Sequence, residues 1–157
     1  MSKLKFTDKA PDFILPNQDK ENVNLRQFRG KWVVLYFYPR DNTPGCSLEA
    51  HDFTVNLPTF KKLNAVILGV SKDDPSSHCS FIKSKELKII LLSDEDHKVQ
   101  ESYGVWQPKT FMGREFLGTI RMTFLIDPNG RIAHIWDNVR VSGHVGEVLS
   151  KLKELEK

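Results

Sequence analysis

The 157-residue sequence predicts an α/β layered fold built on one mixed β-sheet. Three observations carry that expectation. Apolar runs of strand length recur along the chain, helical patterns fall between them, and a Pro-Asn-Gly turn joins the last two runs. The run 32–38 (WVVLYFY) is continuous, aromatic and β-branched, which marks a strand covered on both faces. From 44 to about 57 a helix follows, opened by turn residues and closed by Pro58, with a continuation through Phe60 and Leu63 after a kink. The runs 65–70 and 89–92 repeat the strand signature. Between them, 75–87 reads as a helix with Asp74 at the N-cap and Pro75 at the first helical position. Residues 123–127 and 131–136 form two further strands, and Pro128, Asn129 and Gly130 supply a hairpin turn, because Pro presets φ and Gly tolerates a positive one. Last, Val145, Val148, Leu149, Leu152 and Leu155 recur at helical spacing and predict an amphipathic helix laid on the sheet. In such folds the loops at the C-terminal ends of parallel strands are the natural place for a site.

Composition narrows the function. The chain is long enough for a real core, shows no repeat or linker, and is expected to form a single domain over 1–157. Its 23 basic and 20 acidic residues are interspersed, which argues against a nucleic-acid or membrane partner. The C-terminal charges at Lys151, Lys153, Glu154, Glu156 and Lys157 mix signs and read as a solvated helix face. No apolar stretch approaches the roughly 20 residues that span a bilayer. The first residues lack the apolar region of a secretory signal, so the expected compartment is the cytoplasm. Two cysteines are too few for a disulfide scaffold, and His51, His78, His97, His134 and His144 show no ligand spacing with each other or with a cysteine. Neither a metal nor a cofactor is expected. Trp32, Trp106 and Trp136 read as core or edge aromatics.

The informative segment is 36–49 (YFYPRDNTPGCSLE), where a buried strand runs into a polar loop. Thr43 and Pro44 read as N-cap and first residue of the next helix, which puts Cys46 at the third position. There the backbone N–H groups have no intrahelical partner and the helix dipole is positive. Both favour thiolate over thiol, and the thiolate is the nucleophile. A buried, inert cysteine is the bland alternative, and a loop rich in Pro, Gly and Thr suits it poorly.

Pro39, Thr43 and Cys46 at this spacing resemble the active-site motif of the peroxiredoxins, and the longer 36–49 string resembles the Q-type branch, the bacterioferritin comigratory proteins. Ala10-Pro-Asp-Phe13, the 25–31 segment, Leu92-Ser-Asp94, Tyr103-Gly-Val105 and the 121–127 segment resemble its other landmarks, in order along most of the chain. The resemblance implies a thioredoxin-like fold, a central mixed sheet flanked by helices with an N-terminal extension. It implies a thiol-dependent peroxidase acting on hydrogen peroxide and organic hydroperoxides, re-reduced by thioredoxin or another thiol and monomeric as its relatives commonly are. Cys46 would attack the terminal peroxide oxygen and become a sulfenic acid. Thr43 would hold the peroxide through its hydroxyl, Arg121 would place a permanent charge beside the sulfur, and Pro39 would shield it. Glu49, one turn after Cys46, either orders the polar network or is a plain helix acid.

One departure matters. Many relatives carry a second cysteine where this chain has His51. The other thiol, Cys79, lies on the next predicted helix, and some members of the branch place their resolving cysteine on that helix. Cys79 is therefore expected to resolve the sulfenic acid as an intramolecular disulfide. The alternatives are a one-cysteine peroxidase recycled by external thiol, or a non-catalytic thioredoxin-fold binding module. A thioredoxin-like disulfide reductase would want a cysteine at position 49, where Glu49 stands.

Overall fold

The computed structural model describes residues 4–156; Met1, Ser2, Lys3 and Lys157, which the expected domain and C-terminal charge run include, lie outside the described residues. In chain order the strands and helices are β1 (Ile14–Pro16), β2 (Asn22–Asn24), a 3-10 turn (Leu25–Phe28), β3 (Trp32–Phe37), α1 (Pro44–Lys62), β4 (Ala65–Ser71), α2 (Pro75–Lys85), β5 (Ile90–Ser93), α3 (Lys98–Ser102), β6 (Trp106–Phe111), β7 (Arg114–Thr119), β8 (Met122–Ile126), β9 (Ile132–Trp136) and α4 (His144–Leu155).

The main sheet has the order β5-β4-β3-β8-β9. β3 pairs parallel with β4 and antiparallel with β8, so the mixed sheet expected from sequence is present. The hairpin expected around Gly130 is β8–β9, with a register shift at Leu125 and Ile126. β3 is central and buried from Val33 to Phe37, as its unbroken apolar run requires. Its alternate residues feed two cores. Val34 and Tyr36 face Phe53, Phe60, Phe81, Val145 and Val148 from α1, α2 and α4. Val33, Leu35 and Phe37 face the N-terminal residues Phe13, Leu15 and Val23 together with Tyr103 and Val105. The N-terminal extension thus covers the sheet face that the three longer helices leave open.

Two helix ends and two ribbons differ from the simplest expectation. α1 does not close at Pro58 but runs through it to Lys62, the continuation the sequence also allowed. An interior proline costs about 3 kcal/mol, and burial of Phe53, Leu57 and Phe60 against the sheet outweighs that. α2 stops at Lys85, because Glu86 adopts the left-handed conformation (φ 53°) and turns Leu87 into the core. The two-stranded β1–β2 and β6–β7 ribbons were not expected. β6 contains Pro108 and has no clean alternation, so its pairing is set by the turn at Met112 and Gly113, both at positive φ, which is the geometry of a two-residue hairpin. That ribbon leaves Phe111, Met112, Phe116 and Leu117 exposed, Met112 at 87%.

Candidate active site

The site forms where β3 ends and α1 begins. The loop after Phe37 turns through Arg40 and the left-handed Asn42 (φ 62°), then enters the helix at Pro44. Thr43 takes the N-cap position with extended backbone, and its carbonyl accepts the first helical bond from the Ser47 N–H at 2.8 Å. Its hydroxyl does not cap the helix; it donates to the Arg40 carbonyl at 2.9 Å and closes the loop on itself. Cys46 is the third helical residue, as the spacing predicts, ahead of the turn where backbone N–H groups find partners. The residue is only 1% exposed.

Arg121 immediately precedes β8, the antiparallel neighbour of β3, and that pairing carries its side chain across to the start of α1. Nη2 donates to Cys46 Sγ at 3.2 Å, and Nη1 donates to Glu49 Oε1 at 2.6 Å. The Val139 N–H holds the Arg121 carbonyl at 2.8 Å. Gly45 lets the guanidinium lie against the helix start: a Cβ there would stand 3.3 Å from Nη2 and 4.0 Å from Val141 Cγ2. One cation therefore bridges a sulfur and a carboxyl that both sit on the inner face of α1.

Glu49 is fully buried, with Oε2 free of hydrogen-bond partners among the described residues, so it is no solvated helix acid. Burial pushes its carboxyl up to about 7, against the pull of Arg121 in the other direction. Burial alone would lower Arg121, but Glu49 and Cys46 outweigh it and keep the guanidinium charged. His144 lies in the same region, buried and bonded through Nε2 to the Thr123 hydroxyl at 2.8 Å. Burial, and then the charge of Arg121, lower it to about 4, so it is neutral at pH 7. Beneath the sulfur, Tyr36 stacks on Phe53 of α1 with centroids 4.7 Å apart.

Pro39 is half-buried at the head of the loop, and its other residues up to Gly45 are exposed or half-buried, with one exception. Asp41 is buried and reaches to α2. It accepts from Tyr38 Oη at 2.6 Å and Ser77 Oγ at 2.8 Å, and faces His78 Nδ1 at 2.7 Å. Its own N–H donates to Asp73 Oδ2 at 2.9 Å. Asp41, Asp73 and His78 come from three separate segments, so no local spacing could have announced them; their ligand-type atoms lie within 4.8 Å of one another, and hydrogen bonds already join them. Cys79 follows His78 on α2. It is half-buried and, like Cys46, a free thiol. The proximity of Asp41, His78 and His144 to the site is what sequence reasoning missed. The one available signal was the place of Asp41 inside the 36–49 segment. Trp106, half-buried, stacks on His97 at 4.1 Å.

Residues 6–135 match the AhpC/TSA family model. The chain is 46% identical over 154 residues to the protein named peroxiredoxin Bcp of Escherichia coli K12, covering 98% of this chain and 99% of that one. It is 43% identical over 152 residues to peroxiredoxin Bcp of Bacillus subtilis, covering 97% of each. Among solved structures, peroxiredoxin Q of Xylella fastidiosa superposes over 100% of both chains with a TM-score of 0.94 at 37% identity. The bacterioferritin comigratory protein of Xanthomonas campestris, solved in work on its alkyl peroxide reduction, superposes over 98% of both with a TM-score of 0.91 at 38% identity. The sheet and its helices are thus a thioredoxin-like fold.

Proposed function

The chain belongs to the AhpC/TSA family and is a thiol-dependent peroxidase, and from that premise we propose that Cys46 carries the reaction with Arg121 and Thr43. The observation that supports this most directly is the 3.2 Å contact from Arg121 Nη2 to Cys46 Sγ. A guanidinium beside the sulfur stabilises the thiolate, and the same charge faces the oxygen that becomes an anion in the transition state. Sulfur attacks the terminal peroxide oxygen; the S–O bond forms as the O–O bond breaks, and sulfur gives up two electrons. The leaving oxygen takes a proton from solvent and departs as water or an alcohol, leaving Cys46 as a sulfenic acid. Thr43, at the mouth of the helix, receives the peroxide: its hydroxyl already donates to the Arg40 carbonyl and keeps lone pairs for a peroxide O–H. Pro39 shields the sulfur from the strand side. Glu49 holds the second arm of Arg121 and so aims the first.

Hydrogen peroxide and alkyl hydroperoxides are the proposed substrates, supported by the alkyl peroxide reduction named for the Xanthomonas relative. Cys79 is the proposed resolving thiol: its attack on the sulfenic acid forms a disulfide and releases water, and thioredoxin or another thiol protein reduces the product. The support is that Cys79 is the one other cysteine of the chain and lies partly open on α2. A disulfide needs Cα atoms about 4.4–6.8 Å apart, a spacing two separate helices rarely hold, so the proposal includes local unwinding of α1 and α2 around both residues. A monomeric working form in the cytoplasm is part of the proposal. No helix among the described residues is long and apolar enough to cross a membrane.

Peroxide consumption tests the assignment. Cys46→Ser should abolish it, and Arg121→Met should lower kcat/KM by about 10²–10³-fold, the cost typical of one lost donor to a developing oxyanion. Unchanged turnover in Cys46→Ser would sink the proposal. Intact mass without reductant tests resolution: one equivalent of peroxide should remove two hydrogens from wild type and add one oxygen to Cys79→Ser. Addition of one oxygen to both would remove Cys79 from the cycle and leave an external thiol as the resolving group.

A further inference from the structure

The active-site loop is tied to the fold by a buried polar contact that the peroxide chemistry described above does not use. We propose that His78 is a positioning residue for peroxide reduction, acting through Asp41 to hold the loop that carries Thr43 and Cys46. The inference rests on the assignment of Cys46 as the reacting sulfur.

Three observations carry it. In the loop 39–45, which follows the buried Tyr38, Asp41 is the residue that is buried; Arg40, Asn42 and Pro44 are exposed, and Pro39, Thr43 and Gly45 are half-buried. Asp41 therefore anchors this stretch in the interior, by its carboxylate and by its N–H, which donates to Asp73 Oδ2 at 2.9 Å. That carboxylate meets α2 twice, at Ser77 Oγ (2.8 Å) and His78 Nδ1 (2.7 Å), and its other oxygen takes the Tyr38 hydroxyl at 2.6 Å. Lastly, His78 is itself fully buried and fixed from behind, with Nε2 3.0 Å from the Leu92 carbonyl at β5. A carbonyl oxygen only accepts, so Nε2 carries a proton and donates it. The ring is thus clamped between the edge strand of the sheet and the loop, and its orientation is set by the strand.

The physical consequence is a rigid path from β5 through His78 to Asp41, two residues before Thr43 and five before Cys46. Asn42 stands between them in the left-handed conformation, which Asn tolerates but also leaves readily for the more populated regions when nothing holds the loop. Release of Asp41 would free the loop on either side of Asn42 and let Thr43 move away from the peroxide position. Misplacement of a reacting group by about 1 Å costs on the order of 10²-fold in rate. Removing one partner of a buried polar pair also leaves the other unsatisfied, so either end should matter.

The test uses the full chain and reads the first oxidation alone: the second-order rate of Cys46 oxidation by hydrogen peroxide in pre-reduced protein, without reductant. His78→Leu keeps the bulk of the ring and removes its hydrogen bonds; it should slow oxidation by at least about 10-fold. His78→Asn keeps an amide, able to donate or accept, near the Nδ1 position and should recover most of the wild-type rate, although it fills the space less well. A packing role predicts the opposite order. Asp41→Asn combined with His78→Leu should be little worse than the slower single variant, because both break one contact. Val105→Ala, in the core on the opposite face of the sheet, controls for lost stability and should oxidise at the wild-type rate whatever its fall in Tm. Leu as fast as Asn at position 78, or effects at 41 and 78 that add in full, would overturn the inference. A Cys46→Ser protein that still consumes peroxide would instead overturn the assignment on which it rests.

Discussion

Two buried ionisable groups flank Arg121 and respond to pH in opposite senses. Glu49 has its carboxyl raised from the usual range to about 7 by burial, so the folded protein binds a proton there that the unfolded chain has already lost. Its contribution to stability is full below about pH 4.5 and is lost as pH climbs through about 7. His144 is lowered to about 4, first by burial and then by the charge of Arg121, so its contribution is present above the ordinary histidine range and is lost as pH falls through about 4. Across the same window one group gains what the other loses. Glu49→Gln should therefore gain in Tm relative to wild type as pH rises from 4.5 to 7.5, and that widening gap is the readout. A gap that stays constant across the range would show that Glu49 is not protonated in the folded state. The gain should be accompanied by slower peroxide reduction, because Gln holds the second arm of the guanidinium less firmly than a carboxylate does.

Elements built from long apolar runs were legible, and the polar ones were not. Residues 32–38, 65–70 and the pair joined at Gly130 could be read as strands because burial on both faces leaves an unbroken signature. Cys46 could be placed at the third residue of α1 because Thr43 and Pro44 mark a helix start in any context. The β6–β7 ribbon was hidden because it is exposed and carries Pro108, and the sequence left α1 able to close at Pro58 or continue past it because tertiary burial, not the local rule, decides. Arg121, which only the resemblance pointed to, and His78, which nothing pointed to, approach the site from other segments, and only pairing of β8 with β3 and packing of α2 onto the sheet bring them in. At this scale β4 makes a prediction of its own. A Cβ on Gly69 would lie 2.8 Å from the Tyr36 ring and 2.9 Å from Leu91 Cδ2, in a place where nothing can give way without disturbing the stack on Phe53. Gly69→Ala should cost about 1–3 kcal/mol in denaturant unfolding, and a neutral result would mean that the ring beneath α1 is free to shift.

Across the whole molecule, catalysis and recycling ask for different shapes. The reduced protein keeps Cys46 almost sealed at the start of α1, while the proposed bond to Cys79 would join two separate helices and is expected to open both. Oxidation should therefore raise amide hydrogen exchange at 43–50 and 76–82 and leave the β3–β4–β8 core unchanged; uniform protection in both redox states would exclude the disulfide. The opposite treatment of sulfur at the far ribbon has a practical side. Met112 stands at the tip of β6–β7 with no cover, so excess oxidant can convert its thioether to a sulfoxide with no help from the fold. That lesion adds one oxygen, the same increment as a sulfenic acid, and it survives the thiols that erase the cysteine product. Peptide mapping around Met112, or a Met112→Leu background, separates a spent bystander from a turned-over enzyme.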